Sequence, residues 1–142
     1  MLTSLYGCAS VRPVLPPVAR SVPPPPYIET TPTLDAYKTA VAQHVVAHNA
    51  GHTFTGRLPP MLPAIVVLNI TVDRAGRVTR LTVQRSRDPD ASKVALASME
   101  RSGVLPAPHR LIAAHLPSLT FSETFLFDRD YRFQLRSIAA PQ

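Results

Sequence analysis

Ala64-Ile65-Val66-Val67-Leu68-Asn69-Ile70-Thr71-Val72, then Asp73-Arg74-Ala75-Gly76, then Arg77-Val78-Thr79-Arg80-Leu81-Thr82-Val83-Gln84-Arg85-Ser86, is the stretch that decides the fold. In the first run Val66, Leu68, Ile70 and Val72 alternate with Ile65, Val67, Asn69 and Thr71, so one face is wholly apolar and the other turns polar halfway along. A period of two is the pattern of a strand buried on one side. Asp73-Arg74-Ala75-Gly76 is a tight-turn sequence in which Gly76 supplies the positive-φ position. Arg77 to Ser86 then returns as the second strand of a hairpin, with Leu81 and Val83 expected to face inward.

Downstream, Asp90 is placed to cap a helix from Ala91 to Ser102 that carries Ala91, Ala95, Leu96 and Met99 on one face and ends at Gly103. Leu105-Pro106-Ala107-Pro108 stops it, and His109 to Leu116 predicts a further helical turn. A second hairpin is expected from Leu119 to Ile138. Phe121, Phe125 and Phe127 alternate with Ser122, Thr124 and Leu126; Asp128-Arg129-Asp130 turns; Tyr131, Phe133 and Leu135 alternate with Arg132, Gln134 and Arg136. Glu123 falls on the aromatic face, where it is expected either to pair with an arginine or to lie at the sheet's edge.

Upstream, Thr33 reads as the N-cap of a helix from Leu34 to about Asn49, with Leu34, Tyr37, Val41 and Val45 as its apolar stripe and Gly51 ending it. His44, His48 and His52 recur every four residues. Gly51 interrupts that row, no cysteine or paired acid accompanies it, and His48 falls in the apolar stripe, so a partly buried histidine is expected and no metal. Residues 52–63 carry Gly56, Pro59, Pro60 and Pro63 and read as an irregular connection into the sheet. The fold class that follows is α+β: a small antiparallel sheet of two hairpins, in the order α-β-β-α-β-β, with helices on one face.

Composition adds a second, unlike segment. Half of the 16 prolines in these 142 residues lie between Pro13 and Pro32, which reads as an extended polyproline spacer rather than packed structure. The chain divides accordingly into residues 1–12, a proline-rich linker at 13–33 and a folded domain at 34–138. Net charge is +6, which suits nucleic acid, anionic lipid or an acidic protein surface equally. Arg74, Arg77, Arg80, Arg85, Arg87, Arg101 and Arg110 stand singly along the chain, so a dispersed basic surface is expected rather than a nucleic-acid site. No catalytic constellation is expected: Ser86, Asp88 and His109 lack a nucleophile elbow, and the five glycines form no phosphate or dinucleotide loop. No cofactor is expected either.

Cys8 is the single cysteine, so no internal disulfide can form. Leu5-Tyr6-Gly7-Cys8 is similar to the lipobox of bacterial lipoproteins, although only seven residues precede the cysteine. Two readings stand: lipidation at Cys8 with a start further upstream, or an incidental reduced cysteine.

The run from Ile65 to Val78, continued by Val83-Gln84-Arg85-Ser86, Ala95-Leu96 and Leu105-Pro106-Ala107-Pro108, resembles the carboxy-terminal domain of the TonB family over roughly residues 52–137. The upstream prolines resemble that family's periplasm-spanning spacer. Phe121-Ser122-Glu123-Thr124-Phe125-Leu126-Phe127 and Arg132-Phe133-Gln134-Leu135-Arg136-Ser137 are similar to the ending of its lipoprotein-like members. The resemblance implies a non-enzymatic periplasmic protein, lipid-anchored at the outer membrane. It would bind an envelope protein or an extended receptor peptide along the strand containing Phe121, Glu123, Thr124, Phe125 and Phe127. Arg132, Gln134 and Arg136 would form an alternative edge strand that covers it. The other role implied is that of an energy transducer for uptake, begun further upstream. The family's Tyr-Pro motif ahead of the sheet is replaced here by Phe54-Thr55.

Overall fold

The computed structural model describes residues 33–112 and 116–139, so Cys8 and the proline-rich spacer lie outside the described residues. The elements run α1 (Leu34–Ala47), β1 (Ala64–Asp73), β2 (Val78–Ser86), α2 (Pro89–Ser102), a 3-10 turn (His109–Leu111), β3 (Ser118–Phe127) and β4 (Phe133–Leu135). The fold is α+β, a four-stranded antiparallel sheet in the order β2-β1-β3-β4 with helices packed on it.

β1 is central because its apolar face is the longest in the chain. Ala64, Val66, Leu68, Ile70 and Val72 are all buried, while the alternate Ile65 remains 47% exposed. It pairs with β3 without a break, from Ala64 opposite Phe127 to Asp73 opposite Ser118. Over this face close Tyr37, Val41, Ala42 and Val45 of α1, Ala91, Ala95 and Met99 of α2, and Phe121, Phe125, Phe127, Phe133 and Leu135 of the second hairpin. Each buried phenylalanine stabilises the core by roughly 2–3 kcal/mol through removal of apolar area from water.

Local chemistry sets the helix ends, and two of them differ from the sequence reading. Thr33 caps α1 as expected, its hydroxyl accepting the Ala36 N–H at 3.1 Å. The helix stops at Ala47, however, with His48 as its C-cap, because Asn49 turns inward. Its amide nitrogen donates to the carbonyls of Val45 (2.7 Å) and Ser98 (3.1 Å), and its oxygen accepts Arg101 Nε at 2.8 Å. A side chain that bonds this fully to the α1–α2 seam competes with another helical turn. His48 itself is exposed rather than part of the apolar stripe, and His44 is half-buried with its Nε2 2.8 Å from the Ser102 carbonyl.

The cap of α2 is Asp88 and not Asp90. Its Oδ1 accepts the N–H groups of Asp90 (2.9 Å) and Ala91 (3.0 Å), and Pro89 takes the first helical position. Proline suits that place because the N–H it lacks has no helical partner there and its fixed φ is already helical. The expected helical turn at 109–116 reduces to the 3-10 turn His109–Leu111 within the described residues. Val83 stands opposite Leu68 but is 39% exposed, since β2 is an edge strand. On β2 the buried-side contacts come from Leu81, as expected, and from Val78, both partly buried.

The two hairpins share one turn. In the first, Asp73 N–H donates to the Arg77 carbonyl, and Asp73 Oδ1 accepts the N–H groups of Ala75 (2.9 Å) and Arg77 (3.0 Å). In the second, Asp128 N–H donates to the Arg132 carbonyl, and Asp128 Oδ1 accepts from Asp130 and Arg132, both at 2.9 Å. Gly76 (φ +86) and Tyr131 (φ +56) occupy the same left-handed position. The turn therefore absorbs Tyr131 and Arg132, which the sequence reading had placed in the strand, and β4 is only Phe133–Leu135.

Candidate functional site: the outer edge of β3

The site expected from sequence is a sheet edge, so its content is the set of backbone groups that β3 turns away from β1. β4 pairs with β3 only at Phe125–Leu135, Leu126–Gln134 and Phe127–Phe133. One further bond, from Arg136 N–H to the Thr124 carbonyl at 3.0 Å, ends the ladder. A strand residue sends its N–H and C=O to the same side, and that side alternates along the strand. The carbonyl of Thr124 faces β4, so Thr120 and Ser122 also face outward, toward a strip where no described strand pairs with them. Among the described residues, half of β3 is covered by a strand and half is open.

Glu123 marks the division. Its Oε1 accepts the N–H of Thr124 at 2.8 Å, taking the donor that would have met the Arg136 carbonyl, which instead accepts from Ala139 N–H. Glu123 is 2% exposed and its Oε2 has no hydrogen-bond partner. It stands opposite Leu68 on the core face, between the buried Phe121 and Phe125.

The other residues singled out from sequence fall into three groups. Phe121, Phe125 and Phe127 are core, with Tyr37 meeting Phe121 edge-on at 5.4 Å between ring centres. Arg132 closes the turn, its guanidinium 3.0 Å from Asp128 and 3.5 Å from Asp130. Gln134 belongs to β4 and donates to the Gly56 carbonyl at 2.9 Å. Beyond β4, residue Thr53 forms a parallel bridge with Phe133, supported by Phe133 N–H to the His52 carbonyl and Phe54 N–H to the Phe133 carbonyl. The far side of β4 is thus closed by the connection that leads into β1, a contact with no sequence signal in so irregular a segment.

Arg85 and Arg87, joined by the distant Arg136, line one cavity of about 740 Å³ on the opposite face of the sheet, over Ile65, Val67 and Thr124. Asp88 also borders it, but its carboxylate caps α2 and accepts the Tyr131 hydroxyl at 3.1 Å; these bonds hold its pKa below the usual value, the Ala91 N–H contributing most. Among the described residues no group of three His, Cys, Asp or Glu side chains could hold a metal ion, and no helix is long and apolar enough to cross a membrane. A scan of protein-family models and searches of curated proteins and of solved structures return no match to this chain.

Proposed function

We propose that this chain is a non-enzymatic binding protein of the bacterial cell envelope, which captures an extended segment of a partner protein by strand addition to β3. The observation that carries the reading is the open half of that strand, where the N–H and C=O groups of Thr120 and Ser122 face outward with no strand of the described residues against them. Unpaired edge groups in register are a template for another chain, and natural proteins usually cover or blunt them. Here the cover stops at Thr124. The TonB-like sequence pattern supplies the periplasmic setting, and lipidation at Cys8 with the proline-rich spacer would hold the domain at a distance from its membrane.

A photo-crosslinking amino acid at Thr120, compared with one at Arg80 on the opposite edge strand, tests this in envelope extract. The expected result is a discrete adduct from Thr120 that is absent from Arg80 and lost when Ser122→Pro removes an outward donor. Equal adducts from both positions, or persistence in a folded Ser122→Pro protein, would sink the reading.

A further inference from the structure

A carboxylate with one oxygen buried and unpaired is costly, because desolvation of the charged group is not offset by hydrogen bonds. Glu123 Oε2 is in that state, within a chain that has 15 lysines and arginines to 9 acids. Its location is as informative as its isolation. The Thr124 N–H that Oε1 accepts points away from β1, on the side from which Arg136 N–H reaches the Thr124 carbonyl. The carboxylate therefore sits at the outer margin of β3, where β4 leaves and the open strip begins.

We infer that Glu123 is the selectivity residue of this edge, and that the segment pairing there carries a lysine or arginine directed at it. The inference rests on the edge reading above. Continuing the register of β4 brings Ser137 level with Glu123, and the chain turns away over Arg136–Ala139. An added antiparallel strand then begins opposite Ser122, and its following residue stands opposite Phe121. Its residue there turns toward the core face, diagonal to Glu123 at about 7–8 Å between backbones, within reach of a long basic stem. An ammonium or guanidinium supplies the donors that Oε2 lacks and neutralises the buried charge, whereas an apolar or acidic side chain at that level leaves the carboxylate more deeply desolvated and still unpaired. The preference for a cation arises from relief of a penalty already present in the free protein.

A random seven-residue peptide display library, panned on the full chain, provides the test. Peptides recovered by the wild-type protein and lost on Ser122→Pro are expected to share a lysine or arginine at one fixed position. Replacing that residue by methionine should weaken binding at least tenfold, and Glu123→Gln should weaken the original peptides to a similar degree. The thermal midpoint of Glu123→Gln should equal or exceed that of wild type, since an unpaired buried charge is removed. Edge-binding peptides with no fixed basic position overturn the inference and leave the edge reading standing, as does unchanged affinity in Glu123→Gln. A lower midpoint accompanying the loss of binding overturns it too, by assigning the carboxylate a structural role. Failure to recover any peptide sensitive to Ser122→Pro removes the edge reading and the inference together.

Discussion

Asp73 and Asp128 hold the same station in two hairpins, each accepting two N–H groups of its own turn with one carboxylate oxygen and pairing its own N–H with the carbonyl four residues on. Each is a local clamp that fixes a three-residue reversal. Asp73→Ala and Asp128→Ala are each expected to cost about 1–2 kcal/mol, because two turn amides lose an ionised acceptor. The exposed Arg132 pair adds little to the second value. Chemical denaturation of the two variants checks this, and a loss confined to one hairpin would contradict the equivalence.

The two turns differ in what they tolerate at the left-handed position. At Gly76 a side chain would meet the Leu105 carbonyl, and Leu105 N–H donates to the Gly76 carbonyl at 2.9 Å. Gly76→Ala combines a strained φ with that collision, and a loss of roughly 3 kcal/mol or more is expected. Tyr131→Gly relieves strain but gives up the bond to Asp88 Oδ2 and the ring contact with Phe127 at 6.4 Å. Its stability should stay within about 1 kcal/mol of wild type. Thermal unfolding of both variants measures the asymmetry.

Tyr37 gives the fold an alkaline limit. Its ring is 4% exposed, its hydroxyl donates to the Pro106 carbonyl at 3.0 Å, and burial pushes its pKa up to about 12 from 10.0. The folded state thus holds the phenolic proton more tightly than the unfolded chain. The resulting stability is fully present below pH 10 and is lost as pH rises from 10 toward 12, a loss on the order of 2 kcal/mol. Urea unfolding from pH 8 to 11 should show a decline in wild type that is shallower in Tyr37→Phe.

Asn49 joins the helices to one another, and its truncation should be felt at the seam. Asn49→Ala leaves the Arg101 Nε without its acceptor and takes from the Ser98 carbonyl one of its donors, the Ser102 hydroxyl remaining at 2.7 Å, in a region where Asn49 is 1% exposed. A loss of about 2–3 kcal/mol is expected. Amide exchange at the end of α1 should speed up more than exchange in β1, and uniform acceleration would argue against a local seam.

Where sequence periodicity and turn chemistry acted together, the fold could be read in advance. The alternation of Val66, Leu68, Ile70 and Val72 gave the buried face of β1, and Asp73 with Gly76 gave its turn. Tyr131 misled because αL geometry is rare for an aromatic residue, and the repeat of Asp-Arg-x-x-Arg at 73–77 and 128–132 was the signal that could have placed it. Asp90 misled because two acids flank Pro89, and only the rule that proline favours the first helical position separates them. The candidate site was legible as a strand but not as an edge. How far β4 covers β3 depends on where the chain turns after Leu135, and the Glu123–Thr124 bond that ends the ladder is a side-chain choice with no periodic signature.

The bridge between Thr53 and Phe133 places β4 between a segment that precedes the sheet in sequence and a strand that ends just before it. During synthesis the connection at 52–54 emerges well ahead of Phe133 and has no such partner until β4 follows it. Closure of this flank therefore waits on β4, and loss of β4 would open two structures at once, the end of the sheet and the entrance to β1.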